Sequence, residues 1–234
     1  MTTPQLPADL RSAEAELLAA LRSALAAEPR GRWTAELRFE GLRLLPVLLR
    51  LAGALSLERP DLRLLFADMG ATALAQRDAP QLADRIASYG DQLRRGAEQA
   101  GEELLLLVGA SPAEYEQVES LCNGHGGPVV LLNASLEDAA VGIGSVARQR
   151  RRGFLSTLQN AYALIPAAES ALRHAHPHDW ELYRLDPDGY RLAGSFERRP
   201  DGEEQAAVLA GEAGAGGLGA NLRALDSLLE GLQN

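Results

Sequence analysis

The hydrophobic pattern of this chain changes period along its length, and the changes mark out its elements. Pro7 and Asp9 precede Leu10, Leu17, Leu21 and Leu25, a three-to-four spacing that predicts a helix ending near Pro29 and Gly31. Residues 33–40 then alternate. Trp33, Ala35, Leu37 and Phe39 share one side and Thr34, Glu36, Arg38 and Glu40 the other, which predicts a strand with one wet face near a sheet edge. A helix follows over 42–57, with Pro46 in its first turn. Residues 62–67 form the first nearly continuous apolar run, ending on Asp68 with Gly70 and a short helix beyond: the strand-loop-helix cadence of an α/β fold. A longer helix over 81–99 leads to a second such strand at 104–108. Ser111 and Glu114 frame Pro112 as a capping box, and the helix it starts turns Tyr115, Val118, Leu121 and Cys122 inward before Gly124. A third buried strand occupies 129–132.

Beyond an arginine-rich helix the character changes. Strand-like runs at 154–165, 171–176, 181–185 and 190–196 are separated by turn residues such as Pro177 and Asp186-Pro187-Asp188-Gly189, and connections this short predict an antiparallel meander. A small helix at 203–209 precedes a Gly/Ala-rich linker at 211–219. Leu218, Leu222, Leu225, Leu229 and Leu232 then give the C-terminal segment, 220–234, an amphipathic helical pattern. The expected architecture is α/β: one domain over 1–210 with a mixed sheet, a largely parallel N-terminal α/β part and a C-terminal antiparallel meander.

Composition removes several functions. All 23 basic residues are arginine, so neither a P-loop lysine nor Schiff-base chemistry can be written on this chain. A net charge of −9 opposes sequence-independent binding to nucleic acid. The single cysteine, Cys122, excludes an internal disulfide and an all-cysteine metal cage. The start, MTTPQLPADL, lacks a secretory pattern, which sets the expectation of a cytoplasmic protein. The most apolar stretch, 42–57, holds Arg43, Pro46 and Arg50, too short and too charged to span a bilayer, so any membrane association is expected to be peripheral.

Candidate chemistry concentrates in two places. Ligands of open α/β sheets sit beyond the carboxyl ends of the strands, which nominates Asp68, Ser111 and Asn133, with Glu137, Asp138, Gly142 and Gly144 in the loop after the third buried strand. The same residue types satisfy turns and cap helices. Gly142-Ile143-Gly144 lacks the third glycine of a dinucleotide fingerprint and reads equally as a turn. The second place is the following helix, where Arg148, Arg150, Arg151 and Arg152 crowd four like charges into five positions. Such a run needs an anionic partner or a neighbouring acidic face. His174, His176 and His178 alternate on one prospective strand face, yet Pro177 interrupts them and nothing completes a zinc set, so no metal is expected and an exposed histidine edge is. Cys122 near His125 suggests a thiolate pair, but Cys122 falls on the apolar side of its helix. No catalytic residues and no cofactor are assigned.

The stretch PVVLLNASLEDAAVGIGSVARQRRRGFLSTLQNAYAL, with TAELRFEGLRLLP before it, LRLLFADMGATALAQRD between and GYRLAGSFERRPDGEE after, resembles the domain of unknown function 1995 found in cyanobacteria and chloroplasts, over residues 6–208. Plant members include the low photosystem II accumulation 3 proteins, and the domain is also fused behind some chloroplast adenylate kinases. The resemblance implies a cyanobacterial, non-enzymatic photosystem II assembly factor, cytoplasmic and peripheral at the thylakoid membrane. Its implied partners are a chlorophyll-binding inner antenna protein and an Oxa/YidC-type insertase; the charge pattern, rather than the resemblance, nominates Arg148, Arg150, Arg151 and Arg152 as the anion-facing contact. The alternative is a phosphate- or nucleotide-binding enzyme using a cleft at the strand carboxyl ends.

Overall fold

The computed structural model describes residues 5–98, 101–136 and 145–214. Contacts divide them into two compact units, one of Pro7–Ile165 with His174–His178, the other of Pro166–Arg173 with the described residues from 179 onward.

The larger unit opens with α1 (Leu10–Ala27), started by Asp9, whose carboxylate accepts from the Ser12 amide (2.7 Å) while the Ser12 hydroxyl accepts from the Asp9 amide. Then come β1 (Arg32–Leu37), α2 (Leu44–Ser56), β2 (Arg63–Phe66), α3 (Met69–Asp78), a 3-10 turn over Pro80–Arg85, β3 (Ile86–Ser88), α4 (Tyr89–Glu98), β4 (Leu105–Val108), a 3-10 turn over Pro112–Glu114, α5 (Tyr115–Gly124), β5 (Val129–Leu132), α6 (Ser145–Leu155) and β6 (Gln159–Pro166). The strands pair in parallel in the order β3-β2-β4-β5-β1-β6. Leu65, Leu105, Leu107, Val129 and Leu131 line one face and pack with Tyr89, Tyr115, Val118, Leu121 and Phe154 from α4, α5 and α6. Leu64, Leu106 and Val130 are turned the other way by the period of two and are buried as well. Burial on both faces is why these strands read as unbroken apolar runs.

The second unit takes up β7 (Ser170–Ala175) as far as Arg173, then β8 (Trp180–Asp186) and β9 (Gly189–Phe196), an antiparallel meander turned at Gly189, where φ is +127°. Arg173 pairs with Glu181, which also accepts from the Tyr183 hydroxyl (2.7 Å). Asp201 and Glu204 cap α7 (Gly202–Gly214) reciprocally, each accepting from the other's amide at 2.9 Å. This is the expected α/β fold with a mixed sheet, parallel in its N-terminal part and antiparallel in the C-terminal meander. Helix α7 runs four residues into the expected linker; the rest of that linker and the amphipathic segment 220–234 lie outside the described residues.

Three expectations are corrected. The 33–40 strand ends at Leu37 and lies between β5 and β6, not at an edge. Its polar positions meet protein: Glu36 is buried and paired with Arg38 (3.0 Å), and the Thr34 hydroxyl donates to the Asn160 side chain (2.9 Å). The helix expected over 81–99 is a 3-10 turn, the short buried strand β3 and then α4. Finally, Phe154 belongs to α6, and β6, which begins at Gln159, pairs in parallel with β1.

Candidate functional site

Because β2, β4 and β5 are neighbours, Asp68, Ser111 and Asn133 follow three adjacent strands along one carboxyl edge. Each is engaged by nearby backbone. The Asp68 carboxylate accepts from the Ala71 amide (2.8 Å) as the N-cap of α3. Ser111 and Glu114 complete the capping box: the Ser111 hydroxyl accepts from the Ala113 amide (3.2 Å) and Glu114 accepts from the Ser111 amide (2.9 Å). The Ser111 hydroxyl, which donates to Glu114, and then the Ser111 amide hold the Glu114 carboxyl below its ordinary range. Asn133 stands at φ +51° and its side-chain amide bonds both the N–H and the C=O of Leu37, at 2.8 Å each. Beside them the buried Tyr89 hydroxyl donates to the Val108 carbonyl (2.8 Å). The other cleft candidates, Glu137, Asp138, Gly142 and Gly144, lie outside the described residues.

The arginine helix α6 lies beside α5, whose carboxylates relieve part of its charge. Arg150 pairs with the nearly buried Glu119 (2.7 Å). Arg151 reaches Glu116 at 3.9 Å and lays its guanidinium over the Tyr115 ring, 4.6 Å from the centroid. Burial first, then the Glu119 charge, pushes the Tyr115 hydroxyl up to about 12, so it stays protonated and donates to Glu119 (3.4 Å). Phe154 meets the Tyr115 ring edge-on at 5.6 Å. Arg148, Arg150 and Arg152 are exposed, and α6 presents them as a basic surface. A double-mutant cycle on Arg150 and Glu119, read by urea denaturation, is expected to give a coupling of about 1 kcal/mol, at the upper end for exposed pairs because only the arginine is well hydrated.

The histidine edge is not exposed as a whole. His174 is buried, with Nε2 donating to the Asn160 carbonyl (2.9 Å). His176 shares a hydrogen bond with the Ser23 hydroxyl (3.2 Å) and meets Trp33 edge-on at 5.1 Å. Only His178 is fully exposed, and among the described residues no group of three or more His, Cys, Asp or Glu is placed to hold a metal. Burial pushes the Cys122 thiol up to about 12, which leaves it protonated and unreactive, and His125 bonds the Glu103 carbonyl (2.7 Å).

Arg59, Arg63, Arg85 and Arg95 are scattered along the chain, and the fold gathers them into one groove at the amino ends of β2, β3 and β4. Their only sequence signal is an arginine directly before two buried runs, Arg63-Leu64-Leu65-Phe66 and Arg85-Ile86-Ala87.

Among known proteins, the family model described as a domain of unknown function (DUF1995) matches residues 7–207. No curated protein matches the chain.

Proposed function

The chain belongs to the domain of unknown function 1995 family over residues 7–207, and from that premise we propose that it is a non-enzymatic assembly or interaction factor of photosystem II. It acts peripherally at the thylakoid membrane of a cyanobacterium, where it helps a chlorophyll-binding inner antenna protein assemble with an Oxa/YidC-type insertase. The observation that carries this reading is the exposed basic surface of Arg148, Arg150 and Arg152 on one helix. Arg150 and Arg151 are tied to α5 and fix the helix, while Arg152 has no acidic partner among the described residues. A local basic patch on a chain of net charge −9 suits an acidic segment of a partner protein better than a broad polyanion.

Among the described residues, no helix is long and apolar enough to cross a membrane, which is compatible with a peripheral role. The alternative, an enzyme with a phosphate cleft at the strand carboxyl ends, has less support because Asp68, Ser111 and Asn133 are all engaged by backbone.

The test is a tagged pull-down from gently solubilised thylakoid membranes, with wild type beside Arg148→Glu/Arg152→Glu, a variant that leaves the α5 contacts of Arg150 and Arg151 in place. Recovery of antenna or insertase subunits is expected to fall about fivefold or more, and to weaken with salt in the wild type. Equal recovery by both proteins would remove α6 from the interaction, and recovery of neither subunit by wild type would end the assembly reading.

A further inference from the structure

The amino edge of the parallel strands carries a basic cluster of a different construction. Arg63 opens β2, Arg85 directly precedes β3, and the pairing of Leu64 with Ile86 sets the two arginines side by side. By the period of two they fall on the face of Leu65 and Ala87, the face packed by α4 and α5. Arg95 from the last turn of α4 and Arg59 from the connection after α2 close the groove, which has a volume of about 620 Å³.

Among the described residues that line this groove, each carboxylate already has a cation. Asp61 holds Arg59 (2.7 Å), Glu103 holds Arg95 (2.6 Å) and Glu102 holds Arg30 (3.1 Å). Arg63 and Arg85 make no ion pair with any described residue, and Arg63 Nε and Arg85 Nη1 are buried with no acceptor. Burial, and then the nearby charge of Arg95, draws the Arg63 guanidinium below its ordinary value, as expected of a cation held beside other cations. Two adjacent arginines that line the groove with no carboxylate partner among the described residues, the acids beside them being already paired with Arg59, Arg95 and Arg30, form a site complementary to an anion.

We propose that this groove binds a phosphate group, with Arg63 and Arg85 donating to its oxygens and the Arg59–Asp61 and Arg95–Glu103 pairs forming the rim. Phosphate fits better than carboxylate: two guanidinium forks side by side present more donors than two coplanar oxygens accept, whereas a phosphoryl group turns three oxygens toward them and carries nearly two charges. The groove lies at the strand edge opposite Asp68, Ser111 and Asn133, and it involves no residue of α6, so it stands or falls separately from the assembly role.

The experiment is calorimetric titration of the full chain with inorganic pyrophosphate, beside sedimentation with phosphatidylglycerol vesicles. Saturable pyrophosphate binding is expected, weakened about tenfold or more by Arg63→Gln/Arg85→Gln and unchanged by Arg148→Glu/Arg152→Glu. Vesicle binding that depends on Arg63 and Arg85, without pyrophosphate binding, would identify the phosphate as a lipid headgroup. Phenylglyoxal labelling of the wild type, mapped by mass spectrometry, tests the site even if the double variant does not fold: pyrophosphate, or the vesicles, should protect Arg63 and Arg85. Absence of binding to either probe, or protection confined to other arginines, overturns the proposal.

Discussion

Replacing Asn133 with alanine is expected to destabilise the larger unit by about 3–5 kcal/mol. Strand β5 ends its regular pairing when the Asn133 amide donates to the Ala35 carbonyl (2.8 Å), after which the backbone turns away through φ +51°. The next rung of the β1 to β5 ladder needs a group that accepts from the Leu37 N–H and another that donates to the Leu37 C=O. The Asn133 side-chain amide supplies both, standing in for the peptide unit the turn removes. Leu37 is buried, so alanine leaves two backbone groups without partners and also places a side chain with no local hydrogen bond in the left-handed region. Asn133→Gly separates the causes: it relieves the backbone conformation but not the lost bonds, and should recover about 1–2 kcal/mol of the loss. The measurement is urea denaturation of the three proteins. A glycine variant as stable as wild type would show that the amide bonds contribute nothing.

That role explains why the carboxyl-edge residues looked like a ligand cleft in the sequence. Asn at a strand end, Asp before a helix and Ser-Pro before another are the residue types both of ligand contacts and of local backbone satisfaction, and spacing alone does not separate the two. The buried strands were legible because covering both faces leaves only apolar positions, as at Leu105 to Val108. Strand β3 was not. Leu82, Ile86, Tyr89 and Leu93 fall at helical spacing and hide a three-residue strand, although the Ser88 and Asp91 reciprocal cap, with the Asp91 amide donating to the Ser88 hydroxyl (3.1 Å), marked a helix start there. The central place of β1 was hidden by Glu36 and Thr34, whose partners are Arg38, just past the end of the strand, and Asn160 on the neighbouring β6.

The arginines divide in the same way. Four in five positions on α6 announced themselves, but the acids that relieve them, Glu116 and Glu119, lie on another helix, and only packing decides which arginines are tied down. The groove arginines are scattered in sequence and meet because β3 pairs with β2 in one register, so the helical spacing that hides β3 hides the groove as well.

Gly127→Ala is expected to cost about 3 kcal/mol and to lower the melting temperature by about 6–12 °C. A methyl group on Gly127 would stand 2.5 Å from the Glu102 carbonyl carbon, closer still to its oxygen, and 2.7 Å from the Glu103 oxygen, all of them backbone atoms. That backbone has little room to yield. The Gly126 amide donates to the Gly101 carbonyl (3.0 Å), the Leu105 amide to the Pro128 carbonyl (3.0 Å), and His125 Nε2 to the Glu103 carbonyl (2.7 Å), so the chain entering β5 is laced to the chain entering β4. Gly126→Ala is the control, since its methyl would stand no nearer than 3.4 Å to the Gly101 oxygen and should cost less than about 1 kcal/mol. The two variants also report on the groove, because Glu102 and Glu103 hold Arg30 and Arg95 in pairs at its rim. If the backbone of 102–103 is what positions those pairs, Gly127→Ala should weaken pyrophosphate binding at temperatures where the protein is still folded and Gly126→Ala should not. A Gly127→Ala protein with wild-type melting would mean that the approach of the two chains relaxes freely, and the stiffness attributed to this edge of the sheet would have to come from elsewhere.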